Sequence, residues 1–137
     1  MSLVIDSSLL VAALVDTSAA GSWAERALEG QPLYAPELIY ADATNILRRL
    51  EHATRITPPE ADAAQGDLMQ LEITVLPFEH FAHRIWELRH TVASYDAWYV
   101  AVAEGLEFPL ATLDGHLARA TGPKCKFLTP DSDSRQS

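Results

Sequence analysis

Two short apolar runs in this chain end on an acid: Leu3-Val4-Ile5 stops at Asp6, and Leu110-Ala111-Thr112-Leu113 stops at Asp114. Runs this short and this apolar read as strands covered on both faces, and the stretches between them carry apolar residues at helical spacing. Such alternation favours an α/β architecture over a helical bundle or a β-sandwich. In open sheets of that class the ligand site lies beyond the carboxyl ends of the strands, which is where Asp6 and Asp114 fall. Two more aspartates stand where a solvated charge is unusual: Asp42 inside an apolar-periodic helix, and Asp96 at the opening of another. Four carboxylates converging without cations would repel one another, so a divalent metal ion is their expected partner.

The remaining elements follow from the same patterns. Ile73–Leu76, stopped by Pro77, and residues 126–128 join 3–5 and 109–113 as strand candidates. Ser7 and Ser8 offer hydroxyl caps to a first helix through Leu9, Leu10, Ala13 and Leu14. A second helix is expected over 18–29, ending at Gly30. Pro36 opens a long third helix with Ile39, Ala43, Ile46 and Leu50 on its core face and Leu38, Asp42, Asn45 and Arg49 on the neighbouring face. Thr57-Pro58-Pro59-Glu60 has the spacing of a capping box. Phe81, Ile85, Leu88 and Val92 mark a helix leading to the Ser94-Tyr95-Asp96 junction, and 97–106 is the most apolar helix. One domain is expected over 1–129. The Asp, Ser, Arg and Gln residues of 130–137 can bury almost nothing and read as a disordered tail.

Composition narrows the function classes. A chain of 137 residues, 48% of them hydrophobic, suffices for one domain with a real core. The single Cys125 cannot form an internal disulfide, and the start shows no charged and then apolar leader, so a cytoplasmic location is the expectation. The formal charge of -9 argues against a nucleic-acid coat, which would show a basic surplus. It leaves open an enzyme that recruits phosphate through bound cations.

Each candidate also has a plainer reading. Asp6 and Asp114 can cap the helices that follow them, and Asp96 can complement a helix dipole. Asp42 is harder to dismiss, because Asp has poor propensity inside a helix. His80 and His83 are helical neighbours without further ligands at metal spacing and read as a solvated face. Trp98 and Tyr99 read as packing residues rather than base-stacking ones. Arg48, Arg49 and Arg55 fit either nucleic-acid phosphates or a solvated face. Cys125 has no His partner and reads as inert.

Four segments, taken in order, resemble one family. Val4-Ile5-Asp6-Ser7-Ser8 resembles the opening of the PIN-domain nucleases, and more closely of the VapC-type toxins of toxin-antitoxin pairs. So does Ala35-Pro36-Glu37-Leu38, followed by an acid at 42 and by Asn45-Ile46-Leu47-Arg48-Arg49. Residues 95–104, Tyr-Asp-Ala-Trp-Tyr-Val-Ala-Val-Ala-Glu, are similar to the third motif of that family. Thr112-Leu113-Asp114 with Leu117-Ala118-Arg119-Ala120 is similar to the fourth.

The resemblance implies a PIN-like three-layer α/β domain, with a central, mainly parallel sheet flanked by helices. It further implies a magnesium- or manganese-dependent endoribonuclease with a toxin role, a homodimer, and a cognate antitoxin that covers the site. Asp6 would be the central metal ligand, completed by Asp96 and Asp42, with Asp114 bound directly or through water. Magnesium prefers oxygen ligands and leaves positions open for water and phosphate, which suits phosphodiester hydrolysis. Ser7 and Thr112 would fix carboxylate orientation, and Asn45, one turn beyond Asp42, would orient that side chain or a water. One departure is visible: Asp42 stands where these toxins usually carry Glu, one methylene longer. Two rival readings remain. A metal-dependent aspartyl phosphatase wants a second acid close behind the first, where Ser7-Ser8 stand. A degenerate PIN-like scaffold that binds protein would be consistent with Asp42 and the acidic surplus.

Overall fold

The protein was studied as a computed structural model, which describes residues 1–131. Among the described residues five parallel strands form one sheet: β1 (Leu3–Ile5), β2 (Leu33–Pro36), β3 (Ile73–Leu76), β4 (Leu110–Ala111) and β5 (Phe127–Leu128), in the order β3-β2-β1-β4-β5. All three β1 residues are buried, as expected of a central parallel strand covered on both faces. Parallel neighbours cannot be joined by a tight turn, so every connection carries helix. These are α1 (Ser7–Val15), α2 (Ala19–Leu28), α3 (Ile39–His52), α4 (Pro58–Gln70), α5 (Ala82–Glu87), α6 (Ser94–Leu106) and the short α7 (Gly115–Ala118).

The helices fall into two sets. α1 packs on α2, α3 and α4, whereas α6 packs on α5 and on β1, β2 and β4. This is the expected three-layer α/β arrangement, with a core that includes Leu3, Ile5, Leu9, Leu10, Ile39, Leu68, Val100, Val102 and Leu110. The apolar character of α6 has a simple cause: Ala97 and the run from Tyr99 to Ala103 are all buried against the sheet and α5. The capping box that opens α4 forms as its spacing requires. Glu60 N donates to Thr57 Oγ1 at 3.2 Å, and Thr57 N donates to Glu60 Oε1 at 2.9 Å.

Three local expectations change. β2 carries no alternating pattern and was not anticipated; Pro36 closes this strand instead of opening the third helix, which starts at Ile39. Its missing N–H falls where the β2 ladder ends, so the proline costs no interior hydrogen bond. Asp42 therefore lies in the first turn of α3, not in mid-helix, where its charge is favoured by the helix dipole. The helix expected through Phe81–Val92 is broken into a 3-10 turn over Glu79–Phe81, the short α5 and further turns, although Ile85, Leu88 and Val92 are buried as their spacing suggested. Of the expected tail, Pro130 and Asp131 have helical backbone, and residues 132–137 lie outside the described residues. Among the described residues no helix is long and apolar enough to cross a membrane.

Candidate active site

The fold carries the four aspartates to one edge of the sheet. Asp6 leaves the carboxyl end of β1 and caps α1, and Asp114 follows β4, the neighbour of β1, and caps α7. Asp42 and Asp96 come from the first turns of α3 and α6. Hydroxyl groups link the first pair. Thr112, fully buried, donates to Asp6 Oδ2 and accepts the Asp114 N–H at 2.9 Å. Ser8 donates to Asp6 Oδ1 at 2.7 Å and accepts the Leu113 N–H at 3.3 Å. The Leu9 N–H completes the set on Asp6 Oδ1 at 3.0 Å. The plainer capping roles of Asp6 and Asp114 are thus real. Asp114 caps through Oδ1 alone, receiving the N–H groups of His116 and Leu117 at 3.0 and 3.1 Å, so the cap does not use Oδ2.

Asp42 is held by a separate pair of donors. Ser7 Oγ and Tyr99 OH both reach Asp42 Oδ2, at 2.8 and 3.1 Å. Tyr99 is almost fully buried one turn beyond Asp96 on α6, so a single phenol ties the α3 acid to the α6 acid's helix. Two of these donors, Ser8 and Tyr99, were read from the sequence only as a helix cap and a packing residue. The available signals were the second hydroxyl in Asp6-Ser7-Ser8 and the three-residue spacing from Asp96 to Tyr99. Asn45, by contrast, is exposed, and among the described residues no hydrogen bond joins it to Asp42.

Burial and mutual repulsion set the electrostatics of the cluster. Burial raises the Asp6 carboxyl to a pKa of about 6, against the hydrogen bonds from Thr112, Leu9 and Ser8, with a further push from the charge of Asp96. Asp96 is raised by its own burial first, then by Asp114 and Asp42, and is partly relieved by His116. Burial and the charge of Asp42 push the Tyr99 phenol well above its ordinary value, so it stays a donor. Among the described residues no Lys, Arg or His forms an ion pair with any of the four acids.

This donor set fits a hard divalent cation, being all oxygen and net negative. Among the described residues the acids do not stand drawn together as a ready three-ligand cage. Asp6 faces three protein donors, yet a carboxylate offers about four acceptor positions, so capacity for a cation is retained. The other chemistry-bearing candidates lie elsewhere. His83 is exposed beside Glu87 at 3.7 Å, Trp98 packs edge-on against Phe78 at 5.3 Å, and burial lifts the Cys125 thiol to about 11.

Comparison with known proteins identifies the family. The family model described as PIN domain matches residues 3–123. Ribonuclease VapC1 of Mycobacterium tuberculosis is 35% identical over 125 residues, covering 90% of this chain and 94% of that protein. A solved structure from Pyrobaculum aerophilum superposes with a TM-score of 0.69 at 20% identity, covering 98% of this chain and 88% of that one. VapBC2 from Rickettsia felis, solved bound to a DNA fragment from its promoter, gives a TM-score of 0.64 at 14% identity, covering 94% and 98%. The two structures speak for the fold, and the family match over residues 3–123 spans the strand ends and helix turns that carry all four acids. By sequence and by fold, then, this chain belongs to the PIN-domain family, and within it to the VapC ribonucleases.

Proposed function

We propose that this protein is a magnesium- or manganese-dependent endoribonuclease, a hydrolase acting in the cytoplasm as the toxin of a toxin-antitoxin pair. The observation that carries the reading is the hydroxyl-supported cluster of Asp6, Asp42, Asp96 and Asp114 at the carboxyl edge of a parallel sheet, with no basic side chain ion-paired to it among the described residues. Asp6, Asp96 and Asp42 would hold the ion, with Asp114 bound directly or through water. A divalent cation there would activate water and neutralise charge building on the phosphate. The chain supplies orientation. Thr112 and Ser8 fix the plane of Asp6, while Ser7 and Tyr99 both hold Oδ2 of Asp42, so its Oδ1 would be the oxygen offered to the ion. That grip gives the shorter Asp42 a defined position without the extra methylene of Glu.

The partner follows from the same charge. A protein that silences this site needs a cation to replace the metal, and an arginine satisfies carboxylates bidentately. We therefore expect a cognate antitoxin with a basic segment entering the acid pocket, as well as a homodimer of this chain. The test is cleavage of total RNA by the purified protein with magnesium or manganese, with EDTA, and with Asp6→Asn or Asp96→Asn. Metal-dependent cleavage lost in both variants is the expected result. A folded protein that never cuts RNA, yet still binds an antitoxin, would instead favour the degenerate-scaffold reading.

A further inference from the structure

An acidic pocket cannot by itself hold a polyanion in the ground state, so affinity for an RNA strand must come from cations outside it. We propose that the groove between α1 and α3, rimmed by Arg49 and Arg55, is where the single-stranded RNA lies on one side of the cut. This rests on the ribonuclease reading above and gives the strand its path. The groove is about 500 Å³ and is lined by Val11, Ile46 and Leu50, by Ser8, and by one acid, Asp16, whose Oδ1 accepts the Ser18 N–H. Ser8, which lines the groove, also donates to Asp6 at 2.7 Å, so one hydroxyl links the groove to the acid cluster.

Helix geometry sets its scale. Asp42, Ile46 and Arg49 lie along one stripe of α3 at four- and three-residue spacing, and seven residues rise about 10 Å along the axis. Arg49 thus stands one to two nucleotides from the acids. Thr54, at a φ of 55°, turns the chain back after α3, and Arg55 N bonds Leu50 O at 2.8 Å, which brings Arg55 to the same rim.

The two arginines are available for this. Both are exposed, and among the described residues neither guanidinium has an ion pair or hydrogen bond. Arg84, in contrast, is tied bidentately to Glu104 at 2.7 and 3.1 Å, and Arg89 covers the Trp86 ring. In a chain of net charge -9, two unpaired guanidinium groups flanking apolar side chains complement a phosphate backbone with a base turned inward.

The experiment measures fluorescence anisotropy of a short fluorescein-labelled single-stranded RNA on the non-cutting Asp6→Asn protein, with and without Arg49→Gln and Arg55→Gln. The double arginine substitution should weaken binding at least tenfold and lower the salt slope of log K by about 1.4, the value for two lost single-strand phosphate contacts. In otherwise wild-type protein it should raise KM while sparing kcat and the affinity for manganese. Manganese-dependent cleavage with unchanged KM and salt slope would overturn the groove and leave the ribonuclease standing. No RNA bound by any form, with no cleavage, would bring down both. Unchanged RNA binding with loss of a co-expressed antitoxin would show that the groove holds a peptide instead.

Discussion

Asp6 illustrates how a single buried carboxyl sets the stability of this protein against its function. Its folded pKa of about 6 lies above the ordinary carboxyl value of 3.8, so between those values the native state binds more protons than the unfolded chain. Stability therefore falls as pH rises through that window, by about 3 kcal/mol in total. The acids that oppose this trend, Asp16, Glu60 and Glu104, are lowered by their hydrogen bonds and lose stability only as pH falls through the ordinary carboxylate range and below. In EDTA the melting temperature should consequently rise from pH 7 to pH 5, by the equivalent of about 1 kcal/mol, and Asp6→Asn should flatten the rise. A wild-type melting temperature that is level or falling over that interval would contradict it. Tyr99 offers a second test at this scale. Tyr99→Phe keeps the packing but removes one of the two donors on Asp42 Oδ2, costing about 1 kcal/mol of stability. It should also weaken manganese binding by several-fold, as measured by titration calorimetry. An unchanged manganese affinity would make the phenol a packing group and no more.

Among the elements, the α1–α2 junction is set by a glycine. A Cβ on Gly21 would stand 1.8 Å from the backbone oxygen of Asp16, so only glycine lets the first turn of α2 close over the end of α1. Gly21→Ala should force the two helices apart and destabilise the protein by about 2 kcal/mol or more, read by urea denaturation, and should disturb the groove beside α1. What the sequence reveals of its elements divides on the same physical line, between local and tertiary causes. The acid at the end of β1, the Thr57–Glu60 box and the apolar face of α6 are written in adjacent or helically spaced residues, and each is found where the pattern puts it. β2 is not, because Leu33-Tyr34-Ala35-Pro36 becomes a strand only by pairing with β1 on one side and β3 on the other. The candidate site divides likewise. Its four acids stand out as misplaced charges, but the aim of Ser8 and Tyr99 depends on where β4 and α3 come to rest. Asn45 has the right spacing to Asp42 and still faces solvent.

For the whole molecule the decisive quantity is a net charge of -9, part of it concentrated at one edge of the sheet. Any salt would screen the diffuse part, whereas only a bound ion can neutralise the four acids together, and the two effects differ in form. Screening is graded and indifferent to which acid is removed. Binding to the native state alone stabilises by mass action, about 2.7 kcal/mol at a metal concentration one hundred times Kd. For a domain of this size that is a rise in melting temperature of roughly 10 °C. Manganese or magnesium, added at constant ionic strength, should therefore raise the melting temperature along a saturable curve, and Asp96→Asn should remove most of the rise. Asp62→Asn on the exposed face of α4 should leave it intact. The pH dependence links this to the residue scale, because a proton on Asp6 and a divalent ion compete for the same carboxylate. The metal-induced rise should be largest at pH 7 and shrink toward pH 5, opposite in direction to the metal-free trend. A shift that is equal at both pH values, or that survives Asp96→Asn, would place the bound cation away from the four acids.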